Sequence, residues 1–391
     1  MNILAAWELG GNWGHVARDL PVLRQLHVQG HDVLYAARDA TIAPTLCAST
    51  DISCMAAPNT TAIRRMPRGL AGFGAILFAD GFGDAAILRE RIADWMRLFA
   101  EHKTNVVMSD YAPTALLAAR ISGIPSVAVG SGFEIPPDLP LLPSFLPDPM
   151  QDAGPRRFAE GLVLFNVNRV LRELGAAPLQ RLAQVFQGTR NVLTTVAELD
   201  HCRARPVATY AGPVQDLQAD IVARWETAKP HVLIYLRGPT PDIDALLQAL
   251  SVIGAEVIAV LPDINRPLRH THTDLQVSRK PVRFDGLLDK ADLVIAAGQG
   301  TVTTALLSGV PVLMLPANAE QAMLARRVEA IGAGMAAGHG RATPDTIDHL
   351  LHDAASRTAA SAFATKYAGL SMEASVQTVI DEIRHVSLGQ S

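Results

Sequence analysis

The sequence predicts an α/β protein made of two doubly wound halves, each built on a parallel sheet. Short apolar runs alternate with helical patterns from the first residues onward. A glycine-rich turn separates the first run from the first helix, and the same order resumes after Gly212-Pro213. At roughly 150 residues per domain, a chain of 391 residues is long enough for two or three domains.

Residues 3–7 form an apolar run expected as a buried first strand, and Gly10, Gly11 and Gly14 form the turn after it. Val16, Leu20, Leu23 and Leu26 then recur at helical spacing until Gly30, and residues 32–36 resume as strand. Strand, turn, helix and strand make a βαβ unit, hence parallel pairing. The grammar recurs as strand 105–108, helix 114–120 and strand 126–129. Residues 133–155 are dense in proline and resist a regular element. Helices are expected over 156–174 and 178–186, and a strand over 192–196. In the second half, strands are expected over 231–236, 256–261, 293–296 and 312–315, with helices over 242–253 and 301–308. A terminal helix over 372–386 is expected to pack back on the first domain. The expected division is a domain over 1–213, a linker over 214–230, a domain over 231–371 and the terminal segment 372–391.

Composition narrows the class. Hydrophobic residues at 49% against 18% charged supply a sizeable core and argue against disorder. A net charge of -4 without a Lys/Arg run excludes nucleic acid as the main partner. No apolar stretch is long enough to span a bilayer, and the N-terminus has no basic region before its apolar run. Cys47, Cys54 and Cys202 form no metal-type or redox-type pair, and their odd count and wide spacing suit a reducing cytoplasm. These readings imply a cytoplasmic protein without an integral membrane segment. Oligomeric state is not legible.

The most informative stretch runs from Ala296 to Pro311. Its glycines Gly298 and Gly300 follow an expected strand and lead into a helix, where backbone amides favour an anion. On the residues alone a diphosphate site and a plain strand-to-helix turn both stay open.

Residues 292–334 resemble the donor-binding signature of family 1 glycosyltransferases, the UDP- or TDP-sugar-dependent macrolide and antibiotic type. The signature combines a glycine-rich phosphate loop (Gly298, Gln299, Gly300, Thr301), an ALxxGVP stretch (Ala305 to Pro311), an acidic residue followed by glutamine (Glu320, Gln321), and a basic pair (Arg326, Arg327). The N-terminal run Trp7 to Val16, with Trp13-Gly14-His15, resembles the first glycine loop of that family. The segment from Glu198 to Pro213 resembles the close of its acceptor domain.

The resemblance implies a GT-B fold, two Rossmann-like domains facing across a cleft. It implies an inverting sugar transferase with His15 as general base, oriented by Asp110. It assigns donor contacts to Arg237, Gly238, Val282, Arg283, Gly298, Gln299, Gly300, Thr301, Glu320 and Gln321, the last two on the sugar hydroxyls. Acceptor contacts fall to Trp13, Gly14, Phe133 and Leu142. Partners are a small, rather apolar acceptor and a nucleotide-sugar co-substrate; no cofactor and no metal are expected. From the residues alone, the apolar side chains among the prolines fit either a pocket lining or a lid. His15 could equally pack beneath Trp13 while Asp110 caps the following helix.

One departure stands out. The family carries a histidine at the start of the phosphate loop, where this sequence has Ala296. A catalytically impaired binding or auxiliary protein is therefore the alternative reading. Two lookalikes are set aside. Asp242-Ile243-Asp244 opens a helix after Pro241, where acidic residues cap. His270 and His272 lack a third ligand and read as a loop pair in solvent.

Overall fold

The computed structural model describes residues 1–11, 13–39, 50–58, 69, 71–215, 219–238, 242–270, 272–338 and 340–389. Asn12, Cys47, Pro241, Thr271 and part of the 214–230 stretch lie outside the described residues. Two compact units divide the chain, Met1–Asp216 together with Ser371–Ser391, and Leu217–Leu370.

The first unit carries strands β1 (Asn2–Trp7), β2 (Asp32–Ala37), β3 (Ser53–Ala56), β4 (Val106–Asp110), β5 (Ser126–Gly130), β6 (Arg190–Leu193) and β7 (Thr209–Tyr210). They pair in parallel in the order β3-β2-β1-β4-β5-β6-β7. The order reverses direction between β1 and β4, so ligands are expected at the C-terminal ends of these two strands. Helices α1 (Trp13–Val28), α2 (Gly72–Leu77), α3 (Ala85–His102), α4 (Pro113–Ser122) and α5 (Ala153–Glu173) complete its described connections. β1, β4 and β5 are buried almost throughout, which suits a sheet covered on both faces.

The second unit carries β8 (His231–Tyr235), β9 (Glu256–Val260), β10 (Leu275–Ser278), β11 (Leu293–Ala296), β12 (Val312–Met314) and β13 (Gly334–Ala336). The order is β10-β9-β8-β11-β12-β13, again all parallel, with its reversal between β8 and β11. Helices are α6 (Ile243–Val252), α7 (Gln299–Leu307), α8 (Ala319–Ala330), α9 (Pro344–His352) and α10 (Ala354–Lys366).

The last helix, α11 (Met372–Ser387), belongs to the first unit. Its Val379, Ile380 and Ile383 are fully buried in one cluster with Val16, Leu20 and Leu23 of α1. Apolar residues at helical spacing on both helices make this seam.

Several sequence expectations need correction. Residues 178–186 hold only a short 3₁₀ helix, Leu182–Phe186, whose start is fixed by Gln184 accepting from the backbone of Gln180. The strand expected over 192–196 is Arg190–Leu193. The helix expected from residue 301 begins at Gln299. Cys54 is disulfide-bonded and Cys202 is free, so cysteine usage no longer argues for a reducing compartment. Asp242 makes no side-chain capping bond, and Asp244 instead receives Arg266 at 2.8 Å and the amide of Arg269 at 2.9 Å. His272 is buried rather than in solvent, and its Nδ1 accepts from the Asp274 amide. No described helix is long and apolar enough to cross a membrane.

The α1–α11 seam makes a quantitative prediction. Ile383→Ala should destabilise the first unit by about 2–5 kcal/mol, because the cavity is enclosed on all sides. Urea unfolding followed by tryptophan fluorescence measures it; a change under about 0.5 kcal/mol would mean that α11 is not integral to that core.

Candidate active site

Parallel pairing of β1 and β4 sets Trp7 opposite Asp110 at the reversal point of the first sheet. The chain then leaves β1 through Glu8, Leu9 and Gly10 and enters α1, which brings His15 back over the strand ends. The His15 ring stacks on Trp7, centroids 5.1 Å apart. Trp13, for its part, is 37% exposed. Gly10 sits in the left-handed region at φ +80°, and a Cβ there would overlap His15 Nε2. Glycine is required at this position on both counts.

His15 Nδ1 lies 2.8 Å from Asp110 Oδ2 and 3.0 Å from Oδ1. An ionised carboxylate only accepts, so this contact calls for a proton on Nδ1, which in the neutral ring leaves the lone pair on Nε2; Arg18 Nη2 lies 3.1 Å from the same Nδ1. Among the described residues Nε2 has no hydrogen-bond partner. Asp110 is almost wholly buried and also receives Arg18. The other arm of that guanidinium reaches Glu134 Oε2 at 3.2 Å. Glu134 in turn accepts from the Ser131 amide. His15, Asp110 and Glu134 converge within one small cluster, with the arginine as its fixed cation.

The alternative in which Asp110 caps α4 is overturned by Glu8. The Glu8 carboxylate accepts from the Thr114 amide at 2.9 Å and from the Thr114 hydroxyl, at the start of α4. Trp95 Nε1 donates to the same carboxylate. Burial raises Glu8 above its usual range, against the pull of Arg91 and Thr114. Glu8 thus takes the helix terminus and leaves Asp110 facing His15. Tyr111, just after Asp110, adopts φ 47°, and its carbonyl accepts from the Leu9 amide at 3.0 Å. This bond ties the two strand-end loops together.

Of the expected acceptor residues, Gly14 and Trp13 are exposed on the first turn of α1. Phe133 lies in an aromatic cluster with Phe73 at 5.1 Å, Phe145 at 5.5 Å and Tyr111 at 6.2 Å. Leu142 is fully buried, its amide donating to Glu160, so its side chain offers no surface to a ligand.

In the second unit, the residues after β8 and β11 meet at the other reversal point. A cavity there is lined by Leu236, Arg237, Ala297, Leu315, Ala317 and Gly338, among others. Gly298 is the N-cap of α7 and supplies no side-chain cap, so the first amides of the helix, at 299–301, have no intrahelical acceptor. Gly298 is exposed, Gln299 and Gly300 are half-buried, and Thr301 is buried. Arg237 and Gly238 are both held by Asp263, at 3.6 and 2.7 Å. Val282 is buried and pairs with Ile221; Arg283 is exposed beside Asp285. Glu320 stands in the first turn of α8, half-buried. Gln321 is committed to the turn, its amide donating to Asn318 Oδ1 and its side-chain oxygen accepting from Ala317. Only its NH₂ group stays available. Ala296 is fully buried at the end of β11.

With this geometry in view, residues 244–383 match the family model described as erythromycin biosynthesis protein CIII-like, C-terminal domain. Comparison with curated proteins gives no match. Solved structures match over nearly the whole chain. The spinosyn rhamnosyltransferase SpnG complexed with thymidine diphosphate shares 20% identity at a TM-score of 0.70, covering 97% of this chain and 100% of that one. Glycosyltransferase VinC in complex with dTDP shares 16% at 0.68, covering 98% and 99%. SnogD from Streptomyces nogalater, also a glycosyltransferase, shares 18% at 0.66, covering 97% and 99%. The fold is GT-B.

Arg18, Asp19, Glu8 and Glu134 escaped the sequence reading. Arg18 and Asp19 had a signal, since they stand three and four residues after His15 and share its helix face. Glu134 had none, lying among prolines.

Glu134 generates a pH prediction. Burial acts to raise its carboxyl, but Arg18, His15 and the Ser131 bonds together hold it down at about 2. A folded value below the usual 4.5 means that this stabilisation is present above that pH and is lost as pH falls through about 2. Glu134→Gln should therefore flatten the acid limb of stability over that window. An acid-unfolding profile as steep as that of the wild type would contradict the assignment.

Proposed function

We propose that this GT-B protein is an inverting glycosyltransferase that moves a sugar from a UDP- or TDP-linked donor to a hydroxyl of a small, rather apolar acceptor. The observation that carries the reading is the His15–Asp110 contact at the first reversal point, with Nε2 left as the free base. His15 Nε2 takes the proton of the acceptor hydroxyl. The oxygen attacks the anomeric carbon on the face opposite the nucleotide, and the bond from that carbon to the diphosphate oxygen breaks. Asp110 stabilises the imidazolium that forms and holds the ring in one tautomer, the role logic of a hydrolase triad.

The donor reading rests on the second unit. The uncapped first turn of α7, at Gly298 to Thr301, supplies amides and dipole to the diphosphate, supported by Arg237 and Gly238. Backbone around Val282 and Arg283 receives the base. Glu320 and the NH₂ of Gln321 receive sugar hydroxyls. SpnG and VinC have been solved in complex with thymidine diphosphate, which supports a TDP-linked donor here. The aromatic cluster at Phe133 supports an apolar acceptor. Leaving-group stabilisation by amides and arginine makes a divalent ion unnecessary.

A second reading is favoured by one observation. Ala296 supplies no donor to the loop and is enclosed, so a protein that binds the nucleotide without turnover fits the same fold. Calorimetric titration with TDP and UDP sugars, followed by product analysis over an acceptor panel, separates the readings. Binding without any product would favour the second, and binding of no nucleotide would remove both.

His15→Ala should keep the fold and lower transfer by a factor on the order of 10² to 10⁴. Circular dichroism and initial rates check this, and an unchanged rate would take His15 out of the mechanism. Transfer should also persist in excess chelator. Loss of activity that a divalent ion restores would contradict the amide-based account of the leaving group.

A further inference from the structure

The proline-rich stretch after β5 carries no strand or helix to satisfy its backbone, yet Leu142 within it is fully buried. Two side chains one turn apart on α5 meet that need. The Leu142 amide donates to Glu160 Oε1 at 3.1 Å, and Arg156 donates to the Leu142 carbonyl. The other arm of Arg156 reaches the Pro149 carbonyl at 2.8 Å, and its Nε donates to Asp152 at 2.7 Å. Asp152 also accepts the Ser144 hydroxyl at 2.9 Å. Arg156, Glu160 and Asp152 are themselves buried. The stretch is thus pinned at Leu142 and Ser144 on one side of Phe145 and at Pro149 on the other.

Phe145 is the residue that those bonds place. Its ring meets Phe73 of α2 edge-on at 4.9 Å and Phe133 at 5.5 Å. Phe73 also meets Phe186 at 5.9 Å, and Phe133 meets Tyr111, the residue after Asp110, at 6.2 Å. The rings therefore run from the end of β4, beside the His15–Asp110 pair, out to the proline-rich stretch. Phe73, Phe186, Tyr111 and Phe133 are buried, and Phe145 is half-buried. Of these five rings Phe145 has the surface that a ligand can touch. The ring beneath it is fixed by the same helix: α2 lies so close to α5 that a Cβ on Gly74 would stand 2.7 Å from the Glu160 amide nitrogen.

We infer that Phe145 is the specificity-determining contact for the acceptor, and that Arg156 and Glu160 are positioning residues that hold it in place. The acceptor class that follows is a hydroxyl carried on a flat, unsaturated ring, because an aromatic surface open on one side favours a second ring, offset or edge-on. This deepens the proposed function and rests on the reading of the first unit as the acceptor domain. The clamp does not need a charged Glu160. Burial pushes its carboxyl up to about 7, against the Leu142 bond and Arg156, and in either state an oxygen faces the Leu142 amide. A carboxamide at this position keeps the contact. Alanine removes it and leaves a buried N–H unsatisfied.

The test uses the full-length protein and umbelliferone, a flat fluorescent phenol, with no nucleotide sugar present. Phe145→Ala should weaken umbelliferone binding by about three- to tenfold, and Phe145→Tyr, which keeps the ring, should not. Glu160→Ala should weaken it by a similar factor and speed amide hydrogen exchange over residues 138–152, and Glu160→Gln should restore both. Affinity for thymidine diphosphate, measured by calorimetry, should stay at the wild-type value in every variant. A wild type that binds no umbelliferone, or wild-type affinity in Phe145→Ala, would overturn the inference. Faster exchange with unchanged umbelliferone affinity in Glu160→Ala would overturn the positioning role, as would a parallel loss of thymidine diphosphate affinity. Should Glu160→Ala fail to fold, Phe145→Ala against Phe145→Tyr decides. Because umbelliferone is read without a donor, ring-dependent binding with no sugar transfer would remove the transferase reading and leave this one standing.

Discussion

Asp110 is the residue on which the buried polar cluster of the first unit depends. It is the last residue of a central parallel strand, almost wholly buried, and it must be satisfied by donors that water cannot supply. Its donors, His15 and Arg18, come from one face of one helix. The length of the loop between β1 and α1, and the absence of a Cβ at Gly10, put that face over the strand end. Moving Asp110 by one residue would turn its side chain to the other face of the sheet. The register between β1 and β4 is therefore a condition for the dyad as much as for the fold.

Around this carboxylate the polar groups are divided by task. Glu8 serves the start of α4, and Glu134 holds the far arm of Arg18. Without Glu8 at the helix terminus, Asp110 would be drawn toward amides that a carboxylate satisfies well. Three acidic side chains in one neighbourhood thus avoid competing for the same donors. The second unit solves a different problem at the equivalent point of its sheet. There no side chain caps α7, and the loop after β8 is tied back by Asp263, leaving amides open to a ligand.

Much of this architecture was legible in the sequence. Strand and helix periodicities placed β1, α1, β2 and the β11-to-β12 crossover, because buried parallel strands and amphipathic helices leave clear apolar patterns. Short edge strands such as Thr209–Tyr210 left none. Residues 178–186 read as a helix, but Pro178, the exposed Gln180 and the half-buried Arg181 supply no helical turn before Leu182. His15 and Asp110 were legible only through a family resemblance, since nothing local says that residues 95 positions apart will meet. Arg18 and Asp19 looked like the polar side of a surface helix and are in fact its buried side. Charge on a helix is read by default as solvent-facing, and here the partners that reverse this reading lie on β2, β4 and the loop after β5.

The proposed proton transfer turns on the tautomer of His15. Imidazole nitrogen chemical shifts, measured on ¹⁵N-histidine-labelled protein above the ring's titration, report which nitrogen carries the proton. The geometry predicts a protonated Nδ1 facing Asp110 and a lone pair on Nε2, with that preference lost in Asp110→Ala. A proton on Nε2 in the wild type would leave no base to accept from a sugar acceptor, and would contradict the central claim.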